Sequence, residues 1–480
     1  MKNIRMLLMS VVSFTLLLIP SMASAATTLP EPSNNTITLT EDVTLDDAFV
    51  VTAGQNLTLD LGEYTLTNGT NADTIRVEKG ATLTIKGNGT ITNTTLGKAA
   101  LFNNGTVTIE SGTLQATKNE NSKDYYVILN HGTMTINGGT IKSTSTHSSL
   151  IDNGYYNFTS SNEREGYVEG TNELYPTLTI NGGMFDGGLN TVKNDDNGRL
   201  VINDGTFKNT VQVSLMNWNE ATINGGVFET PTGNDKTNIF VGSYGANSND
   251  IGKLVITGGT FNAEHAIEVS ATNPVTTPVE ISGGTFNNTA SFVNEGIGFA
   301  SVAVEDININ GEVTATTDAV KYAKKGAVLT LTDAKVDTVI DVPEGAEVVL
   351  PQDDNLVFVE NEDGTVTIKE KADLTELLAI ADRIDNLDKN AYTSESFKEF
   401  EETLDKIIQE LDQLSFTKDE QAKIDDMVEQ LENAMAKLVK VTDVENPETA
   451  DNILTYVSIC SLATLALGAT LIYSKKKIFN

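Results

Sequence analysis

The stretch Ile256-Thr-Gly-Gly-Thr-Phe261 decides the fold, because the same six-residue phrase recurs through the middle of the chain. The other copies are Ile109–Leu114, Ile136–Ile141, Ile180–Phe185, Ile202–Phe207, Ile223–Phe228 and Ile281–Phe286, with a looser copy at Ile85–Ile91. The steps between the first isoleucines are 24, 27, 44, 22, 21, 33 and 25 residues. Repetition at a nearly fixed interval indicates a solenoid, and most of these steps fit one turn of a parallel β-helix.

The residues around each glycine corner explain why such turns would stack. Upstream of the corner, polar and apolar residues alternate, as in Thr106-Val-Thr-Ile109, which predicts a strand buried on one face. The glycine pair allows backbone angles that other residues avoid, so the chain bends sharply there. The apolar residue after the corner then begins the next strand and points inward. A single turn leaves this apolar set exposed, whereas stacked turns bury it.

An asparagine register supports the same arrangement. Asn103, Asn130 and Asn217 each lie six residues before the first isoleucine of a repeat. Side-chain amides at equivalent positions of stacked coils can hydrogen-bond along the solenoid axis. We therefore interpret these residues as a structural ladder in preference to a ligand-binding set.

The repeat resembles that of the pectate-lyase-like β-helix surface proteins and adhesins. The resemblance, together with the chirality of the chain, implies a right-handed parallel β-helix. Residues 26–300 are predicted to form this solenoid, and the alternating segment Thr36–Leu66 supplies its first coils or an N-terminal cap. Residues 301–371 keep strand character without the glycine corner, which predicts degenerate final coils or a small β cap.

The periodicity becomes helical in residues 372–440. Apolar residues recur there every three or four positions, which predicts amphipathic helices that close a three-helix bundle. The stripe residues are Phe397, Phe400, Leu404, Ile407, Leu411 and Leu414, then Ile424, Met427, Val428, Leu431, Met435 and Leu438. Together with Leu377–Leu387 and the turn Asn390–Ser396, this stretch looks like a FIVAR module. The resemblance implies a spacer or a carbohydrate- or protein-binding unit.

The two ends of the chain predict export. Residues 1–25 combine two basic residues, the apolar run Leu7–Ile19 and a final Ala23-Ser-Ala25, the three-part pattern of a secretory signal peptide. Residues 453–473 carry no charge and are predicted to form a transmembrane helix, which holds the chain in the membrane before sorting. The basic residues of the tail at 474–480 place that end in the cytoplasm.

The linker at 441–452 contains Asn446-Pro-Glu-Thr-Ala450, which resembles the cell-wall sorting signal of Gram-positive surface proteins. Pro447 and Thr449 match the usual Leu-Pro-x-Thr-Gly, whereas Asn446 and Ala450 replace leucine and glycine, and Glu448 fills the variable position. The resemblance implies that a sortase cuts between Thr449 and Ala450 and joins the protein to peptidoglycan. The alternative is a protein held only by its membrane helix. Both interpretations place the body of the protein outside the cell.

Composition narrows the possible partners. The formal net charge is −34, which disfavours nucleic acid and other polyanions. The single cysteine, Cys460, lies in the predicted membrane span, so the exported body has no disulfide of its own.

An enzymatic function is the alternative that must be considered for a β-helix. A lyase of that kind needs an arginine or lysine base and a set of carboxylates. Lys193, Asp195, Asp196 and Arg199 form the compact mixed-charge cluster of the coils, and we interpret it as a turn. The three histidines fall on different coils without metal-ligand spacing. We predict no catalytic residue, cofactor or metal, and keep an extracellular polysaccharide lyase or hydrolase as the alternative.

The long step of 44 residues predicts a surface loop that is rich in aromatic side chains. These are Tyr155, Tyr156, Phe158, Tyr167 and Tyr175. Exposed tyrosines on a rigid scaffold suit contacts with sugar rings or with proteins, but the same rings would also serve to fix the loop on its coil. The sequence leaves both open. The function predicted is a non-enzymatic adhesin or structural surface protein that binds glycan, host matrix or neighbouring cells.

Overall fold

The computed structural model describes residues 27–116, 125–155, 167–230, 237–242, 252–270, 275, 277–288, 306–351, 355–441 and 472–474. The predicted signal peptide, the sorting motif at 446–450, and Tyr156 and Phe158 lie outside these residues. Within them, the chain forms a parallel β-solenoid of the right-handed type with about nine turns, followed by helices. The solenoid predicted from the glycine corners is therefore confirmed.

Three sheets run along the solenoid, all parallel except for the last strand of sheet 2, and the strands are numbered in chain order. Sheet 1 contains β1 (Thr36–Thr38), β4 (Asn56–Asp60), β7 (Thr82–Lys86), β10 (Thr106–Ile109), β13 (Thr133–Ile136), β16 (Thr177–Ile180), β19 (Arg199–Ile202), β22 (Glu220–Ile223), β25 (Lys253–Ile256), β28 (Val279–Ile281) and β30 (Ile307–Ile309). Sheet 2 contains β2 (Val43–Leu45), β5 (Thr65–Asn68), β8 (Thr90–Asn93), β11 (Thr113–Ala116), β14 (Thr140–Ser143), β17 (Met184–Gly187), β20 (Thr206–Lys208), β23 (Val227–Glu229), β26 (Thr260–Asn262), β29 (Thr285–Phe286), β31 (Glu312–Ala315), β32 (Val328–Leu331), β34 (Glu347–Val349) and β37 (Ile472–Ser474). Sheet 3 contains β3 (Phe49–Val51), β6 (Ile75–Val77), β9 (Leu101–Asn103), β12 (Ile128–Asn130), β15 (Ile151–Asn153), β18 (Asn190–Asn194), β21 (Val213–Asn217), β24 (Thr237–Val241) and β27 (His265–Val269).

The strand register reproduces the spacing of the repeat. Ile109, Ile136 and Ile180 stand opposite one another in consecutive strands of sheet 1 and are fully buried. The threonines between the apolar positions face outward, as the alternation predicts. Each sequence step between isoleucines is therefore one coil of the solenoid.

The two glycines of a corner are required for different reasons. A Cβ at Gly258 would lie 2.4 Å from the carbonyl oxygen of Asn224 in the coil below, closer than any side chain tolerates. A Cβ at Gly259 would be less crowded, with its nearest atoms at 3.3 Å, but the φ of +108° there is one that residues with side chains rarely adopt. Glycine is required at the first position by the close approach of the stacked coils, and at the second position by the backbone conformation of the bend.

The residue after the corner builds a column of aromatic rings in the core. Phe185, Phe207, Phe228, Phe261 and Phe286 are fully buried and follow one another along the axis. Consecutive ring centroids lie 4.7, 4.8, 4.9 and 4.7 Å apart with interplanar angles of 5–12°. The rings stack in parallel because neighbouring strands impose nearly the same spacing on them.

The predicted asparagine ladder is present and longer than expected. Asn103 Nδ2 donates to Asn130 Oδ1 at 2.7 Å, and Asn130 donates in the same way to Asn153 at 2.7 Å. The chain continues from Asn153 to Asn194 and from Asn194 to Asn217, each at 2.8 Å. All five side chains are fully buried in sheet 3.

Past the last glycine corner, sheets 1 and 2 continue with β30, β31, β32 and β34, and a small antiparallel sheet follows. This sheet contains β33 (Val339–Ile340), β35 (Leu356–Glu360) and β36 (Val366–Glu370). Three helices come next, α1 (Thr375–Asp385), α2 (Ser394–Leu411) and α3 (Gln421–Ala436), with short 3₁₀ turns between them at Lys389–Ala391 and Lys418–Glu420. A further 3₁₀ turn, Thr317–Tyr322, lies between β31 and β32. The predicted apolar stripe of α2 is buried from Phe397 to Leu411, and these helices share one hydrophobic core.

The C-terminal segment is described only at β37, which pairs antiparallel with β34. Two of its residues, at 472 and 473, belong to the predicted membrane span, and there they are strand and not helix. The rest of that span lies outside the described residues. Within the described part of the chain, none of the helices has the length and apolar character needed to cross a membrane.

Candidate functional site

A polar cluster lies on the outer face of sheet 3. Because side chains alternate along a strand, Ile151 and Asn153 point into the solenoid while Asp152 between them points outward. Lys193 stands directly opposite Asp152 in the next strand and points the same way. Despite this orientation, Asp152 is 1 % exposed and Lys193 8 % exposed. The cluster is therefore on the outside of the sheet but closed off from solvent.

Hydrogen bonds connect the members of the cluster. Lys193 Nζ donates to Asp195 Oδ2, and Asp195 Oδ1 accepts from the backbone N–H of Asp196 at 3.1 Å. The hydroxyl of Tyr126 lies near the Asp152 carboxyl, whose charge raises the pKa of the tyrosine. Asp152 Oδ1 is buried, and it accepts no hydrogen bond from the part of the chain that the structure describes.

Burial sets the protonation of the two carboxyls. It raises the pKa of Asp152 to about 8, against the opposing effect of Lys193, and the charge of Asp195 raises it further. Burial also raises the pKa of Asp195, but the adjacent Lys193 ammonium opposes that shift. At neutral pH Asp152 is therefore mostly protonated, next to the contact between Lys193 and Asp195. A buried carboxyl that keeps its proton near neutral pH can take part in acid–base chemistry.

The structure brings together only part of the predicted mixed-charge cluster. Lys193 and Asp195 meet, whereas Arg199 lies on sheet 1, paired with Glu220 at 3.8 Å. Asp152 comes from another coil and was missed by sequence reasoning. A signal for it exists: Asp152 and Lys193 each immediately precede a ladder asparagine, so alignment on the ladder places them side by side.

The aromatic loop residues divide between packing and exposure. Tyr155 is fully buried, with its ring 4.5 Å from that of His131 and 5.5 Å from that of Tyr167, and its hydroxyl donates to the carbonyl of Glu173. This ring fixes the loop on the coil. Tyr175 is 37 % exposed, and the Arg199 guanidinium lies over its ring at 4.4 Å. Of the described members of the predicted loop set, Tyr175 is therefore the one whose ring faces solvent most.

His131 makes stability depend on pH. Burial lowers its pKa to about 4, opposed by a hydrogen bond with Gly154 and aided by the charge of Arg76. The unfolded chain protonates this histidine below about pH 6.5, whereas the folded chain protonates it only near pH 4. The free energy of unfolding therefore falls as the pH is lowered through this range.

We expect His131→Phe, which keeps an aromatic ring beside Tyr155, to lose less stability than the wild type between pH 6.5 and 4. The difference grows by up to about 1.4 kcal/mol per pH unit, the value for one proton. Urea unfolding at several pH values measures it, and His147→Gln, at an exposed position, is the control. A difference that does not change with pH would contradict the assignment.

A second site is an open groove that runs over the glycine corners between sheets 1 and 2. Its volume is about 590 Å³. Glycines form its floor, at Gly225, Gly226, Gly258, Gly259 and Gly284, so no side chain stands between a ligand and the backbone there. The sequence identified these glycines as structural and did not predict the groove.

The wall of the groove on sheet 2 carries a row of hydroxyl groups. Thr260, Thr285, Thr314 and Thr330 stand opposite one another in consecutive strands, half-buried and pointing outward. Neighbouring strands place them about 4.8 Å apart. The exposed carboxylates of Asp204 and Glu312 also line the groove. The site can donate and accept hydrogen bonds at regular intervals, and its charged groups are negative.

No family model, curated protein or solved structure matches this chain. Within the described ranges, no group of three or more His, Cys, Asp or Glu side chains is placed to hold a metal ion.

Proposed function

We propose that the chain is a non-enzymatic cell-surface protein whose solenoid binds a glycan in the groove over its glycine corners. The groove itself is the observation that carries the proposal: it is long, open and polar, and several coils contribute to it. A polysaccharide is extended and repetitive, so it can meet the same hydrogen-bonding groups on successive coils. Affinity then accumulates along the groove from many weak contacts.

The charges define the class of glycan. Asp204 and Glu312 line the groove, and the whole chain carries a formal charge of −34. Both oppose acidic polysaccharides, since like charges repel across a surface. The proposed ligand is therefore a neutral or amino-sugar polysaccharide that hydrogen-bonds to threonine hydroxyls and backbone groups.

The proposed location is outside the cell, on the wall or the membrane. It is supported by the signal-peptide pattern of residues 1–25 and by the resemblance of residues 446–450 to a sortase motif. The resemblance of the repeat to β-helix adhesins favours the same location. A helical segment between solenoid and anchor would then hold the groove away from the cell surface.

We expect Thr285→Tyr to reduce glycan binding about tenfold or more, equivalent to about 1.4 kcal/mol, because the ring fills the middle of the groove. Thr135→Tyr is the matched control. Thr135 also points outward between two threonines of the neighbouring strands, but it lies on sheet 1 away from the groove. Tyrosine is well accepted in strands, so both variants should fold.

The measurement uses the purified full-length chain on an array of neutral, amino-sugar and acidic polysaccharides, followed by calorimetry on each ligand found. Equal binding by the two variants, or a preference for acidic polysaccharides, would contradict the groove proposal.

Polysaccharide cleavage is the second candidate, and the exposed carboxylates of Asp204 and Glu312 in the open groove favour it, since glycoside cleavage uses a pair of carboxyl groups. Release of unsaturated products or new reducing ends by the wild type, lost in Glu312→Gln, would replace the non-enzymatic proposal with an enzymatic one.

A further inference from the structure

We propose that Lys193 and Asp152 join through an intramolecular amide bond between their side chains, which links two adjacent coils covalently. The proposal stands on the placement of four side chains on the outer face of sheet 3. It does not depend on the glycan-binding groove, which lies between the other two sheets.

The two partners are positioned by the strand register. Asp152 of β15 and Lys193 of β18 are direct neighbours in a parallel pair, where strands are about 4.8 Å apart. Both side chains leave the sheet on the same side, and both are more than nine-tenths buried. Among the residues that the structure describes, none gives Asp152 Oδ1 a hydrogen bond, although buried carboxyl oxygens normally have one. The reactive carbon of this carboxyl is thus held in a dry site, and the residue opposite it in the adjacent strand is a lysine.

The remaining groups supply the proton transfers. Asp195 accepts a hydrogen bond from Lys193 Nζ, so it can take a proton from the ammonium and leave a nucleophilic amine. Burial keeps Asp152 in its protonated form at neutral pH, and a neutral carboxyl is the electrophile that an amine can attack. The Tyr126 hydroxyl, which lies near the same carboxyl, is the donor available to stabilise the oxyanion that forms.

The reaction is a condensation that balances without another reagent. The Nζ–Cγ bond forms between Lys193 and Asp152, and one Cγ–O bond of Asp152 breaks. The Lys193 nitrogen gives up two protons in all, both to Asp195. Asp195 passes one of them to the departing hydroxyl, which leaves as water, and keeps the other. No electron is transferred, and Asp195 ends as a neutral carboxylic acid beside the amide.

Burial supplies the driving force. In water an amine and a carboxyl are stable as ions, but an ammonium group in a dry site is strongly disfavoured unless it is well paired. The amide is neutral and removes that charge from the interior. The link also closes the long loop between β15 and β18, which restricts the unfolded chain as a disulfide does.

Peptide mapping of the full-length chain tests the proposal. Trypsin cuts after Lys142, Arg164 and Arg199, but an acylated Lys193 is not cut. We expect a branched species that joins residues 143–164 to residues 165–199 with the loss of one water, and fragmentation should read two amino termini, at Ser143 and Glu165. A linear peptide of equal mass has only one.

The same digest contains an internal control. Glu220 and Lys253 are also direct neighbours in adjacent strands, with Nζ and Oε1 2.8 Å apart, but both are only half-buried and remain in contact with solvent. We expect this pair to remain unlinked. Asp152→Ala and Lys193→Arg should each abolish the branched species, and Asp195→Asn should greatly reduce it.

The wild-type digest decides the outcome whether or not the variants fold. Complete cleavage after Lys193 would overturn the proposal, and so would a bond from Lys193 to Asp195 in place of Asp152. Branched peptide in unchanged amount in Asp195→Asn would overturn the role given to that carboxylate.

Discussion

We expect Asn153→Ala to lower the free energy of unfolding by about 2–4 kcal/mol, because it breaks the buried asparagine ladder in its middle. Asn153 accepts from Asn130 and donates to Asn194 and to the carbonyl of Arg199. Alanine leaves the side-chain N–H of Asn130 and the side-chain oxygen of Asn194 without these partners, in a site closed to water. Each buried group that loses its partner costs about 1–3 kcal/mol. Urea unfolding of the full-length chain measures the change.

The chain contains a matched control for this prediction. Asn181 also lies in a row of asparagines, where it donates to Asn137 at 2.9 Å and accepts from Asn203 at 2.7 Å. This outer row is exposed, so water replaces the bonds that are lost. Asn181→Ala should therefore change stability by no more than about 0.5 kcal/mol. Similar losses in the two variants would show that burial does not determine the strength of the ladder.

The ladder also shows how far sequence reasoning reached. Three members share a spacing of six residues before an isoleucine, and that spacing identified them. Asn194 lies eight residues before Ile202, and Asn153 lies 27 before Ile180. The connection from sheet 3 to sheet 1 carries insertions in these two coils, so a fixed spacing misses residues that stacking brings into line.

The groove over the glycine corners is a second feature that spacing in the sequence does not predict. Spacing and residue type were sufficient to predict the bend and the solenoid. The groove depends instead on what lies beside the glycines, namely threonines from sheet 2 that become neighbours only when the coils stack. The cluster around Asp152 has the same origin, since Tyr126, Asp152 and Lys193 come from successive coils. In a solenoid, periodicity predicts the scaffold, but a site that spans several coils requires the register.

Loop tyrosines were predicted from composition, which does not distinguish binding from packing. Tyr155 is covered because its ring meets His131 of the preceding coil, in a slot that Asn104 and Trp218 occupy elsewhere. The loop is therefore fastened at its beginning by a buried ring, while Tyr175 near its end remains accessible.

We expect Phe228→Ala to cause the largest loss of stability among single substitutions in the solenoid, about 3–5 kcal/mol, because Phe228 is the middle ring of the aromatic column. It stacks on Phe207 at 4.8 Å and on Phe261 at 4.9 Å, and alanine leaves a cavity between them.

Phe185→Ala should cost less, since Phe185 is the first ring of the column and stacks on Phe207, while its neighbour in the coil before is the aliphatic Ile141. The difference should be about 0.5–1.5 kcal/mol, the value of one aromatic pair. Met184→Ala, at an exposed position of the same strand, controls for loss of an apolar side chain and should change stability little.

Stability in a solenoid is the sum of coil and interface terms, so a cavity at Phe228 weakens two interfaces at once. Equal losses for Phe228→Ala and Phe185→Ala in urea unfolding would show that the column contributes by burial alone and not by stacking.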